Sequence, residues 1–596
     1  MKKILLSLSI ILLLATTSCE DFLDTENLTQ KTNENFPNTE SEANELLTGI
    51  YAKLLFEDPE LESQVYLAQL ASDECLGGNL SGSNNCATNF IRYTSNLDGY
   101  YGLWKRCYSI ISRANNAITS LDNVAKWSSE KEKERHLGEV YFLRAFAYNE
   151  LVQVFGGVPL RTTTEATNLP RATVDEIYEL IGADLKKAIE LLPAKSYIGE
   201  DPLVGHANKY TAEAMMARVF LFYTGRYAQS ELPGGITKQM VIAWIDDCVD
   251  NSGHDLLSDQ RNLWSYSNTA TQDNTEGYQY DYVVNNNLKW AGNGNIETMF
   301  ANKHKLKGND WTYTWFSNKA ALFFSPSADD YSADQSYPFG TGWGAGPVSP
   351  HMIEEWKKWS NNQTYINGAT EDPRLTGSVW SYKALSPTGE VLFDRALSPD
   401  EPVYTVSKRY YEQTGYHQKK YINILSRYQG KFTSFGNQLY PGLAGVESQS
   451  LNNISDLVHI RFADVLLMQS ELKEDEAGLN RVRARSNLAP VSYSLDAIKN
   501  ERRWELAFES IRWWDLLRWS GPSLDLIGDA LNKQNNFTII NAAKVVPMVQ
   551  YDYKARIKAT QGYWPIPQTE IDLSGGLLEQ NPGWDASASF ADWESM

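Results

Sequence analysis

Glu501, Glu505 and Glu509 are the first residues in this 596-residue chain whose type and spacing suggest chemistry. Four-residue spacing puts them on one helix face, about 6 Å apart. Retaining glycosidases use two carboxyls about 5–5.5 Å apart, one on each side of the bond they cleave. Parallel side chains on one helix do not straddle a bond. The same stretch supplies Arg502, Arg503, Arg512 and Arg518, enough cations to neutralise every carboxylate, so it reads as a structural ion-pair network. Arg461 and Asp464, spaced i,i+3, read the same way. Neither H-E-x-x-H nor G-x-S-x-G occurs. Gly340 to Gly346 is Gly-rich but misses the dinucleotide and phosphate-loop spacings, and reads as a flexible loop displaying Trp343. With no CxxC and only seven His, zinc chemistry is not expected. The expectation is a chain without catalytic residues, cofactor or metal.

The aromatic residues offer a different chemistry. Residues 261–343 hold 17 aromatics in 83 positions, about 20% against 12% for the whole chain. A pyranose presents an apolar face of axial C–H groups, for which a Trp or Tyr ring is a flat partner, while amides and carboxylates satisfy its hydroxyls. Trp311, Tyr313 and Trp315 alternate, so an extended strand would put them on one face, with Asn309 and Asp310 beside them. Trp264, Trp290 and Trp343 lie in polar, Gly/Asn/Ser-rich surroundings. Each of these rings is also a natural core residue for a strand-poor insertion, and the expectation is that at least one meets ligand.

The formal net charge of −20 argues against nucleic acid and against polyanionic ligands, although a local basic patch would escape that argument. The beginning of the chain reads as a processed leader: Lys2 and Lys3, an apolar run from Ile4 to Ala15 too short to span a bilayer, then Ser18-Cys19. A small residue before a cysteine at that point resembles a bacterial lipobox, which would make Cys19 the acylated N-terminus. Several chains on one residue anchor stably where one does not. Glu20, Asp21 and Asp24 resemble the surface-export signal of Bacteroidetes lipoproteins. Of the other four cysteines, Cys75 and Cys86 flank a Gly/Ser/Asn loop and form the best candidate disulfide, with buried free thiols as the alternative.

These residues need elements to position them. Residues 1–18 read as signal peptide and 19–40 as an acidic tether. Helical patterning dominates 41–254 and 451–596. Glu42–Phe56, Tyr100–Leu121, Glu139–Phe155 and Tyr210–Tyr223 carry apolar residues at helical spacing, and a helix begins at Thr173 and stops at Pro193. Further helices are expected near 456–475, 495–519 and 524–533. The run Ala217 to Ala228 has the small-residue, Gly-turn, aromatic pattern of a tetratricopeptide hairpin, without a clean 34-residue period. Residues 255–450 change texture, and read as an irregular, loop-rich insertion that carries the ligand face.

Several blocks together resemble the SusD/RagB family of nutrient-binding outer-membrane lipoproteins: Cys19 to Asp24, Trp104 to Asn115, Gly138 to Pro159, Ile460 to Met468, Leu479 to Arg483, Glu501 to Trp519, Trp564 to Pro567 and Gln580 to Gly583. One departure is Ser510, where Gly is expected. The resemblance implies a mainly α, tetratricopeptide-like scaffold with a variable ligand face. It also implies a TonB-dependent transporter barrel (SusC-like) as partner, but the ligand's identity does not carry over; the aromatic residues make a glycan, bound without catalysis, the leading expectation. By the region where family ligand contacts tend to lie, Asp73, Asn84, Asn85 and Phe90 join the candidates. A surface glycoside hydrolase and a peptide-import lipoprotein are the alternatives.

Overall fold

The computed structural model describes residues 36–55, 62–77, 97–268, 280–305, 316–327, 337–398, 401, 403–406, 413–428, 431–434, 453–541, 543–548 and 551–584. The first half is a run of packed helices: α1 (Glu40–Tyr51), α2 (Gln64–Ala71), α3 (Tyr101–Ser120), α4 (Glu130–Phe155), α5 (Val174–Leu191), α6 (Lys209–Tyr227) and α7 (Lys238–Asn251). Their starts follow from local chemistry. Thr39 with Glu42, and Thr173 with Glu176, form reciprocal capping boxes, each worth about 1 kcal/mol. Successive helices pack on one another, α3 on α4, α4 on α5, α5 on α6 and α6 on α7, as helical-hairpin repeats do.

Several helix boundaries differ from the sequence reading: α1 ends at Tyr51, and the helix expected near 456–475 is a strand over Leu457–Arg461 and helical only over Phe462–Lys473. α4 begins at Glu130, capped by Ser129; its first two turns are polar and show no apolar period, although Arg135 and His136 in the second are buried. α6 runs through Gly225 to Tyr227. That glycine is there for packing: a Cβ on it would lie 2.7 Å from the carbonyl oxygen of Arg518, on a helix packed against it.

A short hairpin, β1 (Glu231–Leu232) with β2 (Ile236–Thr237), leads into α7. The region from 255 then holds α8 (Asp281–Asn285), β3 (Thr298–Asn302), α9 (Lys319–Phe324), α10 (Pro350–Asn361), α11 (Pro373–Ser378), β4 (Val379–Ser381), β5 (Lys383–Leu385), β6 (Val391–Asp394), β7 (Val403–Thr405), β8 (Tyr416–Gln418), β9 (Leu425–Tyr428) and β10 (Lys431–Ser434). These are small elements: β4 pairs β8, β9 pairs β10, and β5 sits between antiparallel β6 and parallel β7. The chain returns through β11 (Leu457–Arg461), α12 (Phe462–Lys473), α13 (Ala477–Arg485), α14 (Leu495–Glu505), α15 (Arg512–Ser520), α16 (Asp525–Asn532), the hairpin β12 (Thr538–Asn541) with β13 (Lys544–Pro547), α17 (Tyr553–Ala559) and α18 (Gln568–Leu573).

β11 pairs antiparallel with β3, so the returning chain is hydrogen-bonded into the irregular region. The core is continuous across it: Trp264, Trp380, Tyr382, Tyr404 and Tyr421 belong to the same buried cluster as the helices. Most of the insertion's aromatics among the described residues therefore serve as its core, and truncating a fully buried Trp380 would cost about 3–5 kcal/mol.

The stretch 495–519 is two helices. α14 ends at Glu505, and Phe508 (φ +63°) and Ser510 (φ +62°) take left-handed backbone before α15 begins. Ser510 stands where a glycine is expected because the backbone there asks for one. Among the described residues no helix is long and apolar enough to cross a membrane.

Candidate functional site

The break after α14 changes the first constellation. Glu501 and Glu505 share one face of α14, and Glu509 lies in the turn beyond it. All three are buried and matched by cations from elsewhere in the chain. Glu505 accepts from Arg461 Nη1 at 2.7 Å, from Arg374 Nη1 at 3.0 Å and from Arg485. Glu501 accepts from Arg374 at 2.5 Å and Arg483 at 3.1 Å. Glu509 accepts from Arg461 Nε at 2.6 Å and Lys420 Nζ at 2.7 Å. Glu297 and Asp372 complete the lattice on Arg461, Arg485 and Arg374.

Five carboxylates thus meet five cations. Burial pushes the Glu505 carboxyl up, but the guanidiniums of Arg485, Arg461 and Arg374 outweigh it and hold it well below the carboxylate range. Burial alone dominates at Glu501, whose pKa is raised. No carboxyl here is poised to face a substrate.

The ion-pair reading holds, with different partners from those the local sequence suggests. Arg502 pairs with Asp464 and Asp515, Arg518 with Asp515 and Glu471, and Arg503 and Arg512 with Asp73. Arg461 and Asp464 do not pair with each other. They sit at the β11–α12 junction, where the strand-to-helix change sends them to separate clusters.

Trp343 is built in the opposite way. Its backbone is fixed: Gly342 N donates to Pro326 O at 2.6 Å, Trp343 N to Leu322 O at 3.0 Å, Gly344 N to Ser325 O at 2.8 Å and Ala345 N to Phe323 O at 3.1 Å. The expected flexible loop is therefore a pinned one. A Cβ on Gly342 would lie 1.9 Å from Leu322 O, so that glycine lets two backbones meet. Trp343 is 38% exposed, the only exposed tryptophan among the described residues, and its ring rests edge-on against Phe323 at a centroid distance of 6.2 Å.

The surrounding framework is a set of loop stems joined by backbone and amide bonds. Leu76 N donates to Pro347 O at 2.9 Å, Gly340 N to Asn423 O at 2.8 Å, and Asn318 N to Asn453 O at 2.8 Å. Asn423 and Asn453 join these stems to one another through their side-chain amides. Neither asparagine was legible as a site-builder, because no period or motif marks them.

The other candidates fall in three groups. Trp264 is 3% exposed, stacked edge-on with Tyr421 and carrying Lys420 Nζ 4.9 Å above its ring; it is a core residue and offers no face to a ligand. Asp73 is likewise buried. Burial raises its pKa, but Arg512 and Arg503 more than reverse this and hold it well below the usual range, so it is a structural anion. Trp290 is half-buried against the core, its backbone N–H donating to Ser267 O at 3.0 Å. Asn84, Asn85, Phe90, Asn309, Asp310, Trp311 and Trp315 lie outside the described residues, as do Cys19 and Cys86. Cys75 is a buried free thiol.

A family model described as "SusD family" matches residues 261–584, more than half of the chain. The chain belongs to the SusD family. A second SusD-like model, described as "Starch-binding associating with outer membrane", matches residues 21–221, and association with the outer membrane comes with that membership. Two SusD-like proteins of Formosa agariphila, P2 and P25, are 24% and 23% identical over 81% and 96% of this chain and 80% and 97% of their own lengths. Among solved structures, a laminarin-binding SusD-like protein superposes with TM-score 0.63 at 22% identity, over 92% of this chain and 100% of its own. Surface glycan-binding protein A from Bacteroides thetaiotaomicron, solved with laminarihexaose, gives TM-score 0.63 at 22% identity, over 91% and 99%. The fold is the SusD fold, a tetratricopeptide-like helical scaffold with the irregular region laid on it.

Proposed function

We propose that this SusD-family protein is a glycan-binding lipoprotein, acylated at Cys19 and facing outward. It captures an oligosaccharide at the Trp343 face and hands it to a SusC-like TonB-dependent transporter without chemistry. The observation that carries the binding step is the pairing of a pinned backbone with an exposed indole. Sugar hydroxyls are almost as well bonded to water as to protein, so hydrogen bonds alone give little net affinity. Stacking a sugar face on a ring removes apolar area from water at small entropic cost, and a ring held ready loses less still. Relatives named for laminarin and glycan binding support the ligand class.

A hydrolase reading finds no acid/base pair in the Glu501–Glu509 group, because each carboxylate there is already committed to cations. Residues 78–96 and 306–315 bear the remaining candidates, and their flanking residues Leu76 and Phe316 lie in or beside the loop-stem framework. Trp311, Trp315, Asn309, Asp310, Asn84, Asn85 and Phe90 are proposed as further contacts, with Trp290 at the margin.

Calorimetric titration with a panel of neutral oligosaccharides, laminarihexaose included, tests the binding step alongside a hydrolysis assay on the same panel. Binding without turnover is expected; turnover, or no binding to any glycan, overturns the reading. Cys19→Ala should release the protein from the outer membrane, and retention there would refute the anchor. Mild detergent extraction should recover a large β-barrel with the native chain, and isolation of the chain alone from cells importing its ligand would count against a stable complex.

A further inference from the structure

A cavity of about 420 Å³ opens between the end of α1, the turn before α6 and the residues that follow β3. Its size is within the range of small-molecule sites. Leu54, Leu55 and Val204 give it an aliphatic wall, and Tyr51 and Phe316 supply rings. In a chain with 74 acidic and 54 basic side chains, none of its lining residues among those described is Asp or Glu, while Lys303, Lys305, His206 and His304 all line it.

These four groups are not equivalent. Lys303 is neutralised by Asp456 at 2.7 Å. His206 is committed through Nδ1 to Glu139 at 2.7 Å. His304 sits with Nδ1 3.1 Å from Ser455 O; donation there leaves Nε2 as an acceptor. Burial pushes its pKa down to about 3, so it is neutral. Lys305 is exposed, with no ion pair among the described residues, and its ammonium lies 5.9 Å from the Phe316 ring centroid. The wall is preformed. The turn is closed by Leu203 N on Asp201 Oδ1 at 2.9 Å, and Gly205 (φ +98°) lets it pack on the stem of Lys303, where a Cβ would meet Cγ at 2.6 Å.

One cation without an ion pair among the described residues, one neutral acceptor and an apolar, ring-bearing wall fit a compact ligand with one anionic group, a hydroxyl donor and a C–H face. We infer that this cleft is a subsite for a carboxylated sugar, a hexuronate unit, held by Lys305 through its carboxylate and by His304 Nε2 through a hydroxyl. The overall charge of −20 disfavours polyanions, and a single local carboxylate is compatible with it. The inference does not depend on the Trp343 reading.

The probes are glucuronic and galacturonic acid, with glucose and acetate as controls, titrated by saturation-transfer NMR into the full mature chain at pH 7 and low salt. At least one uronate should bind at least about tenfold more tightly than either control, the scale of a charge-assisted hydrogen bond. Lys305→Gln should lose that advantage with an unchanged melting temperature, Val204→Trp should block the cleft, and Trp343→Ala should leave uronate binding intact. Glucose binding as well as both uronates, acetate binding as well as they do, no uronate binding, or full uronate affinity in Lys305→Gln would each overturn the assignment.

Discussion

The lattice around Glu505 and the loop around Trp343 both look functional in sequence, one for its clustered charges and the other for a large ring among glycines. In the structure they are opposites. At Glu505 the side chain is committed, with three guanidiniums on one carboxylate. At Trp343 the backbone is committed and the side chain is left for solvent. A residue available for binding is one whose own fold has not used it, and residue type alone does not reveal that.

The largest effects should come from breaking the lattice. Glu505→Ala would strand Arg461, Arg374 and Arg485 as buried, underneutralised cations, and breaking a buried pair costs about 3–5 kcal/mol. A denaturant melt should show that loss, while glycan affinity per folded molecule stays unchanged. Loss of affinity at wild-type stability would reverse the contrast. Arg374→Met should cost a similar amount, because Arg374, at the start of α11, ties the insertion to α14.

Next in size is Trp343→Ala, which should weaken oligosaccharide binding by about 2 kcal/mol, as loss of a hot-spot ring does. The melting temperature should move little, since the ring is exposed and the loop is held by its backbone. If stability falls and affinity does not, the ring is packing after all and the platform lies with the rings of residues 306–315. Gly342→Ala sharpens the same point from the other side. It must displace the backbone at Leu322, so it should lower both stability and affinity while leaving the indole in place.

Much of the helical scaffold was legible because helices announce themselves locally. Thr173 with Glu176, and the apolar spacing behind them, needed no tertiary information. What was not legible depended on partners distant in sequence. Nothing near Glu501 points to Arg374, more than a hundred positions away, and the nearer Arg502 and Arg518 are the more plausible partners until Asp464, Asp515 and Glu471 are seen to claim them. Trp264 and Trp343 both stand among small or polar neighbours in sequence, yet one is core and the other exposed, because burial is decided by what packs from elsewhere. The glycines beside Trp343 read as slack when their role is close approach, a distinction visible only once Leu322 is opposite them.

The smallest predicted effect comes from a place where charges do not balance. Between α6 and α7, Asp247 and Glu213 share one cation, Lys209, whose Nζ lies 2.6 Å from Asp247 and 3.6 Å from Glu213. Asp247 takes the ammonium, and burial pushes the Glu213 carboxyl up to about 9, so it stays protonated at neutral pH. The sign is opposite to that of the lattice. Glu505 has a lowered pKa in the folded state, so its contribution is present above the ordinary Glu range and is lost on acidification. Glu213 has a raised one, so the folded state holds a proton that the unfolded chain has already released above pH 4.5 or so, and stability falls as pH climbs from there through about 9. Glu213→Gln keeps the shape and removes the titration. It should therefore stabilise the protein by about 1 kcal/mol at pH 8, discounted for the nearby Lys209, and by less at pH 5. Melting temperatures of the two proteins should converge at acid pH and separate towards alkaline pH. Parallel curves across that range would mean that Lys209 keeps Glu213 ionised and that this pair is a small relative of the Glu505 lattice after all.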